Sequence, residues 1–311
     1  MYLPEALTPL EEVSNESTFY FLELIMKLKE PTTFEEQVRI LESRGVIVKD
    51  RDAAVRFLSR VNYYRFSSYL LTFRNPDGET YRTVDFQTAV NIYLFDQELR
   101  ALIYKSIEDI EVFLRTQLAY YSAHKYGAEG YRKQENFNEE HNHKSYLYRL
   151  NKCIKENANT PVVKHHRAKY QGHYPIWVIV EFFSVGMLSH FYRGMLNSDK
   201  AQIAKNLYDT SYQVLDSWFR CLNDLRNRCA HYSRLYYWIF PAIPKMDKRD
   251  PFIPDRRLFS QLYMLKQLHQ NAAVWNNDFV KPLEKLIIKY EADINLRCIG
   301  FPENWREMLT K

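Results

Sequence analysis

Glycine is scarce in this chain, with 8 among 311 residues. Few positions can therefore take a left-handed backbone and few tight hairpins are expected, which favours helices over a sheet. Cysteine is scarce as well: Cys153, Cys221, Cys229 and Cys298 are the full set of four and form no CxxC pair. That usage excludes a disulfide-stapled secreted fold and thiolate zinc, and makes a reducing cytoplasm the expected compartment. Long apolar runs are missing too. The most apolar stretch, Pro175 to Tyr192, is interrupted by Glu181, Gly186 and His190 and falls short of the roughly 20 apolar residues a membrane span needs. It reads as a buried helix, and no membrane partner is expected. The opening MYLPEALTPLEEV is acidic where a signal peptide would be basic, so none is expected. There is no internal repeat and no low-complexity block.

What is abundant is aromatic side chain, 15% of the residues with 24 Tyr and 19 Phe, beside 26% charged residues. This is a globular composition, long enough for one large domain or two. A net charge of +5 and a pI near 8.8 suit a polyanionic partner without requiring one.

Residues 8 to 30 carry an amphipathic pattern and read as an N-terminal helix that Pro31 ends. Thr33 followed by Glu36 makes a capping box for FEEQVRILESR, and Gly45 closes that helix. A short extended piece follows at Val46-Ile47-Val48. The helical stretch beyond Asp50 is dense in Arg56, Arg60, Tyr63, Tyr64, Arg65 and Tyr69. It is either an RNA-contacting surface, with guanidinium groups on phosphates and rings on bases, or a tyrosine-rich core with its hydroxyls satisfied. The turn Asn75-Pro76-Asp77-Gly78 closes it. From Asp85 to Tyr126 an apolar helical period runs for about forty residues before Gly127, as one very long helix or two with a kink. Glu111 and Arg115 inside it are spaced as a surface i,i+4 pair.

Residues 127 to 145 are polar and read as a loop. His141 and His143 lack acidic or cysteine ligands at diagnostic spacing, so they read as solvent-exposed loop histidines, as do His165 and His166. No metal or other cofactor is expected. Helices are expected near 144 to 156, 161 to 170, 175 to 184 and 199 to 208, with Pro161 and Pro175 in first turns. The proline-rich stretch from Phe240 to Arg257 is a long connection, and helices near 256 to 270 and 273 to 291 close the chain. The fold class expected is all-α.

The most informative segment is Arg226-Asn227-Arg228-Cys229-Ala230-His231, an RNxxxH motif near the end of a helix from about Ser211 to Tyr232. Val214, Leu215, Trp218, Phe219, Leu222 and Leu225 form that helix's core stripe. Asn227 and His231 are four apart and share a face, with Arg226 flanking them. An arginine to hold phosphate beside a histidine, the side chain that titrates near neutrality, suits RNA cleavage, because RNA supplies its own nucleophile in the 2′-hydroxyl. The motif alone is also compatible with RNA binding without cleavage, with a buried structural histidine, or with an ordinary cationic helix C-terminus.

Six ordered blocks resemble the Abi-like family of bacterial abortive-infection proteins, the AbiD and AbiF group of the HEPN superfamily. They are TTFEEQVRILESRGVIV, FLSRVNYYRFSSYLLTFR, YLFDQELRALIYKSIEDIEVFLRTQLAYY, YPIWVIVEFFSVGMLSHFY, LRNRCAHYSRLYY and GFPENW. The resemblance implies a HEPN-type helical bundle acting in antiphage defence as a metal-independent endoribonuclease. Arg226, Asn227 and His231 would be its catalytic residues. It implies the division 1–31 as an N-terminal extension, 32–80 as a helical region with possible RNA contact, 81–240 as the HEPN-like core and 241–311 as the proline-rich connection with closing helices. With one RNxxxH motif present, it also implies a homodimer with a composite cleft. A structured, non-coding RNA is a further expected partner, by analogy with the two-module type VI CRISPR effectors. Arg228, Arg234, Tyr63, Tyr64 and Arg65 are the candidate RNA contacts. The alternative is a non-catalytic defence protein whose motif holds such an RNA.

Overall fold

A computed structural model describes residues 30–311; the expected helix over 8 to 30 lies outside them. The fold is all-α, with a two-residue parallel pairing as its only named sheet among the described residues. Helix α1 (Phe34–Ser43) starts at the capping box, where Thr33 and Glu36 satisfy each other's backbone N–H groups. It ends at Gly45, whose φ of 98° is the left-handed turn read from the sequence. Strand β1 (Val46–Ile47) pairs with β2 (Val84–Asp85). Between them lie α2 (Arg51–Leu58), α3 (Tyr63–Ser67) and a 3-10 turn (Ser68–Phe73). Val38, Leu41, Leu58, Phe66, Leu70 and Phe86 are among the residues of a small separate core there.

The scaffold of the molecule is α4 (Phe86–Tyr126), a single helix of 41 residues and so about 60 Å long. The alternative of two kinked helices falls away. Ile92, Phe95, Leu99, Ile103, Ile107, Ile110, Leu114 and Leu118 bury its apolar stripe in the main core. After two 3-10 turns come α5 (His143–Glu156), α6 (Pro161–Tyr170) and α7 (Ile176–Ile179). Next are α8 (Val185–Gly194), α9 (Asn197–Tyr208) and the motif helix α10 (Tyr212–Ala230). Helix α10 packs against α4, α8 and α9, and its six predicted core residues are all buried. The chain closes with α11 (Leu258–Leu268), α12 (Lys281–Tyr290) and α13 (Trp305–Leu309).

Two expectations need correction. The run from Pro175 to Tyr192 is not one helix. It breaks at Phe183 and restarts where Ser184 caps the Met187 N–H, because a hydroxyl that can serve as an N-cap competes with helix continuation. The helix expected near 273 to 291 is present, running from Ala272 through a π-helical turn, Trp275–Val280, into α12, and the π turn seats Trp275 at 0% exposure. His141, His143 and His166 are not solvent-exposed loop residues. His166 is buried, held at Nδ1 by the His173 carbonyl, and the other two are partly buried in an aromatic cluster around Phe137.

Candidate nucleic-acid interface

The motif sits where α10 stops. Ala230 is its last helical residue and His231 its C-cap, with the His231 N–H on the Asn227 carbonyl at 2.9 Å. The Ser233 N–H then returns to the Arg228 carbonyl (2.8 Å) and the Tyr232 N–H to the Cys229 carbonyl (3.2 Å). These two bonds make a Schellman closure, which requires a left-handed residue at the position Tyr232 occupies. Its φ is 56°. A β-carbon there costs roughly 1 kcal/mol or more against glycine. The sequence pattern extends the helix through this residue; the left-handed turn ends it sooner and leaves His231 and Tyr232 exposed.

Four contacts hold the strained loop. Asp96 on α4, with no exposed surface, accepts the backbone N–H groups of Tyr236 (2.8 Å) and Leu235 (3.1 Å), together with the Tyr69 hydroxyl and the Arg100 guanidinium. Burial pushes the Asp96 carboxyl above its ordinary range, while Arg100 and the other donors pull against that push. Arg65 on α3 donates to the Tyr232 carbonyl, and Arg234 donates to the Ser68 carbonyl at 2.9 Å. The segment read from sequence as a possible RNA surface thus docks against the loop that follows the motif.

Arg226 points elsewhere, toward α4. Its Nε lies 3.8 Å from a Glu111 carboxyl oxygen, beyond hydrogen-bonding distance, and its guanidinium lies 5.7 Å from the Tyr104 ring centroid. Glu111 also pairs with Arg115, which reaches the Phe183 carbonyl freed where α7 and α8 part. Glu111 and Arg115 are therefore not a surface pair: their side chains are 12% and 16% exposed. The Arg226 Nε is buried without a hydrogen-bond acceptor. Asn227 makes a long 3.4 Å bond to Asn223 one turn earlier.

The remaining candidates divide. Arg228 stacks on Trp238 at 3.5 Å from the ring centroid and lies 3.5 Å from Asp224. Burial lowers the pKa of Arg228 and of Arg234 below the ordinary guanidinium value. Together with Arg65, these cations make internal contacts. Tyr63 is half-buried, its ring edge-on to Tyr64 and its hydroxyl taking a 3.4 Å bond from Arg44. Tyr64 is 74% exposed and Tyr232 70%, which leaves two free ring faces at the surface.

Asp96, Tyr104 and Glu111 escaped the sequence reading of the site. A usable signal existed for the first. Asp96 and Arg100 fall one turn apart within the apolar period Phe95, Leu99, Ile103, and charge inside a core stripe has to be paired. No group of three or more metal-ligating side chains occurs among the described residues, and no helix among them is long and apolar enough to cross a membrane.

The family model for Abi-like proteins matches residues 56–237, more than half of the chain, from α2 to the loop after the motif. The chain belongs to the Abi-like protein family. That membership suggests a role in abortive-infection defence. The matched segment contains the holders of this loop, Asp96, Arg65 and Arg234, with Arg100 beside Asp96, as well as Glu111 and the motif itself. No curated protein and no solved structure matches the chain.

Proposed function

We propose that this Abi-like protein is a metal-independent endoribonuclease of the HEPN type, acting in defence and cutting RNA at the RNxxxH motif. The observation that carries the reading is the division of labour at the end of α10. His231 is exposed on a loop anchored by buried Asp96, while Arg226 has an Nε that no acceptor satisfies. An imidazole that can reach solvent and a guanidinium with spare donors suit a phosphodiester, since arginine's planar fork matches phosphate oxygens.

In the proposed reaction the 2′-oxygen attacks the adjacent phosphorus and its proton passes to a base. The bond from phosphorus to the 5′-oxygen breaks, and that oxygen takes a proton from an acid. His231 of one or both copies fills the base and acid roles. Arg226 stabilises the charge on the non-bridging oxygens, and Asn227 orients the imidazole or phosphate. The products are a 2′,3′-cyclic phosphate and a 5′-hydroxyl. The 2′-hydroxyl is the nucleophile, so the scheme calls on no metal. Two copies facing each other would bring two motifs to one strand, and the exposed rings of Tyr64 and Tyr232 would stack unpaired bases.

A second reading, a protein that holds a non-coding RNA without cutting it, draws on the same exposed rings and on the 3.8 Å approach of Glu111 to Arg226, which partly neutralises the arginine. Cleavage of single-stranded RNA by wild type and by Arg226→Ala separates the two. The ribonuclease reading expects wild-type cutting that the variant loses, whereas the binding reading expects no cutting by either and weaker RNA retention by the variant.

A further inference from the structure

Away from the motif, a cavity of about 280 Å³ opens between the 138–142 loop, α5 and α8. His141, Tyr146 and Arg149 line one side of it, and His190, Arg193 and Gly194 the other. The site is built. Phe137 stacks flat on the His141 ring, with centroids 4.1 Å apart and planes 11° from parallel. A β-carbon on Gly194 would overlap the same ring, so α8 is stripped to backbone where the imidazole enters. The Asn138 side chain donates to the carbonyls of Arg193 (2.7 Å) and Met195 (3.0 Å), tying the loop to α8.

Three buried polar atoms beside this cavity are nevertheless left over. The Tyr146 hydroxyl, on a side chain 5% exposed, has no partner, nor do His141 Nε2 and Asn138 Oδ1. Buried polar groups normally find partners, each orphan costing about 1–3 kcal/mol. Water can satisfy them but does not balance charge. Arg149 bonds only the Ser145 hydroxyl, at 3.3 Å, and pairs with no carboxylate among the described residues. Arg193 is shared with Asp216 at 3.4 Å, and Glu140 is the single carboxylate in the lining. Burial first, then the neighbouring His143, Arg149 and His190, push His141 down to about 4. Burial and both arginines lower His190 as well.

We propose that this cavity binds a small phosphate-bearing ligand, with Arg149 and His190 as its donors. The site is distinct from the RNxxxH motif and does not depend on the ribonuclease reading. A phosphate placed there reverses the sign of the field on both imidazoles, so their protonation and ligand binding reinforce each other. The charged and titratable groups facing them are Glu140 in the 138–142 loop, His143 at the start of α5, Arg149 on α5 and Arg193 on α8. Asp216 on α10 adjoins through Arg193.

The test uses the full chain, with histidine-ring NMR and thermal unfolding in inorganic phosphate, in adenosine 5′-monophosphate and in sodium chloride of matched ionic strength. The expected result is a rise in the His141 and His190 pKa values with phosphate but not chloride. Affinity should be at least about fivefold tighter at pH 6 than at pH 8 and at least about tenfold weaker in Arg149→Gln and His190→Gln. Both substituted residues are exposed, so folding is preserved. Tighter binding of the nucleotide than of inorganic phosphate would assign the ligand to the nucleotide class, and the reverse order to free phosphate. Histidine resonances that respond to phosphate no more than to chloride, or equal affinity in Arg149→Gln, would overturn the proposal.

Discussion

Replacing Asp96 by asparagine changes one buried atom's chemistry and almost no volume. Asp96 and Arg100 have side-chain exposures of 0% and 5%, and removing one partner of a buried ion pair costs about 3–5 kcal/mol because the other charge stays behind. The asparagine oxygen can still accept the Leu235 and Tyr236 N–H groups, so most of the loss falls on Arg100. The expected outcome is about 3–4 kcal/mol lost in urea unfolding and, for a chain of this size, roughly 6–10 °C in Tm. The double variant Asp96→Asn with Arg100→Met should recover part of that loss, since the stranded cation is gone. A loss below about 1 kcal/mol in the single variant would refute the reasoning, because it would mean that the carboxyl is already neutral and Arg100 needs no counter-charge.

Tyr232→Gly should raise stability by about 0.5–1 kcal/mol in chemical denaturation, because glycine takes the left-handed position freely and the exposed ring loses little packing. If that ring stacks RNA bases, cleavage by Tyr232→Gly should fall while its Tm rises. Stability should also drop between pH 6.5 and about 4 through His141. Its folded pKa is depressed, so the unfolded chain binds the extra proton in that window and stability is lost as the pH falls. The loss is on the order of 2 kcal/mol for this partly buried ring, and His141→Gln should flatten the profile measured by thermal unfolding at a series of pH values. Gly45→Ala should cost more than about 1 kcal/mol by the same unfolding assay, since φ is 98° and the new β-carbon would meet the Tyr81 carbonyl oxygen at 2.7 Å.

Local chemistry was legible in the sequence. The Thr33–Glu36 capping box, the glycine stop at Gly45 and the core stripe of α10 each depend on residues within a turn or two, and all three occur in the structure. Tertiary pairing was not legible. Asp96 meets Leu235 and Tyr236 across 139 and 140 residues, and no periodicity encodes such a distance. Glu111 and Arg115 have the spacing of a surface pair, and only the approach of α10 and the break at Phe183 bury them. The polar loop histidines misled for a related reason. His141 is covered because Phe137 stacks on it and Gly194 makes room, two conditions set by different parts of the chain. The left-handed Tyr232 gave no signal, because glycine is the usual mark of a Schellman turn and the loop here is held by Asp96 and Arg65 instead.

The most direct measurement is cleavage of a mixed single-stranded RNA by the purified protein and by His231→Ala, in EDTA, with product ends identified by mass spectrometry. Wild type is expected to cut to 2′,3′-cyclic phosphate and 5′-hydroxyl ends, and the variant to lose about 10²- to 10⁴-fold of that activity with Tm unchanged, since His231 is exposed. Equal cutting by both proteins, or no cutting by wild type with an RNA retained by both, would contradict the ribonuclease reading.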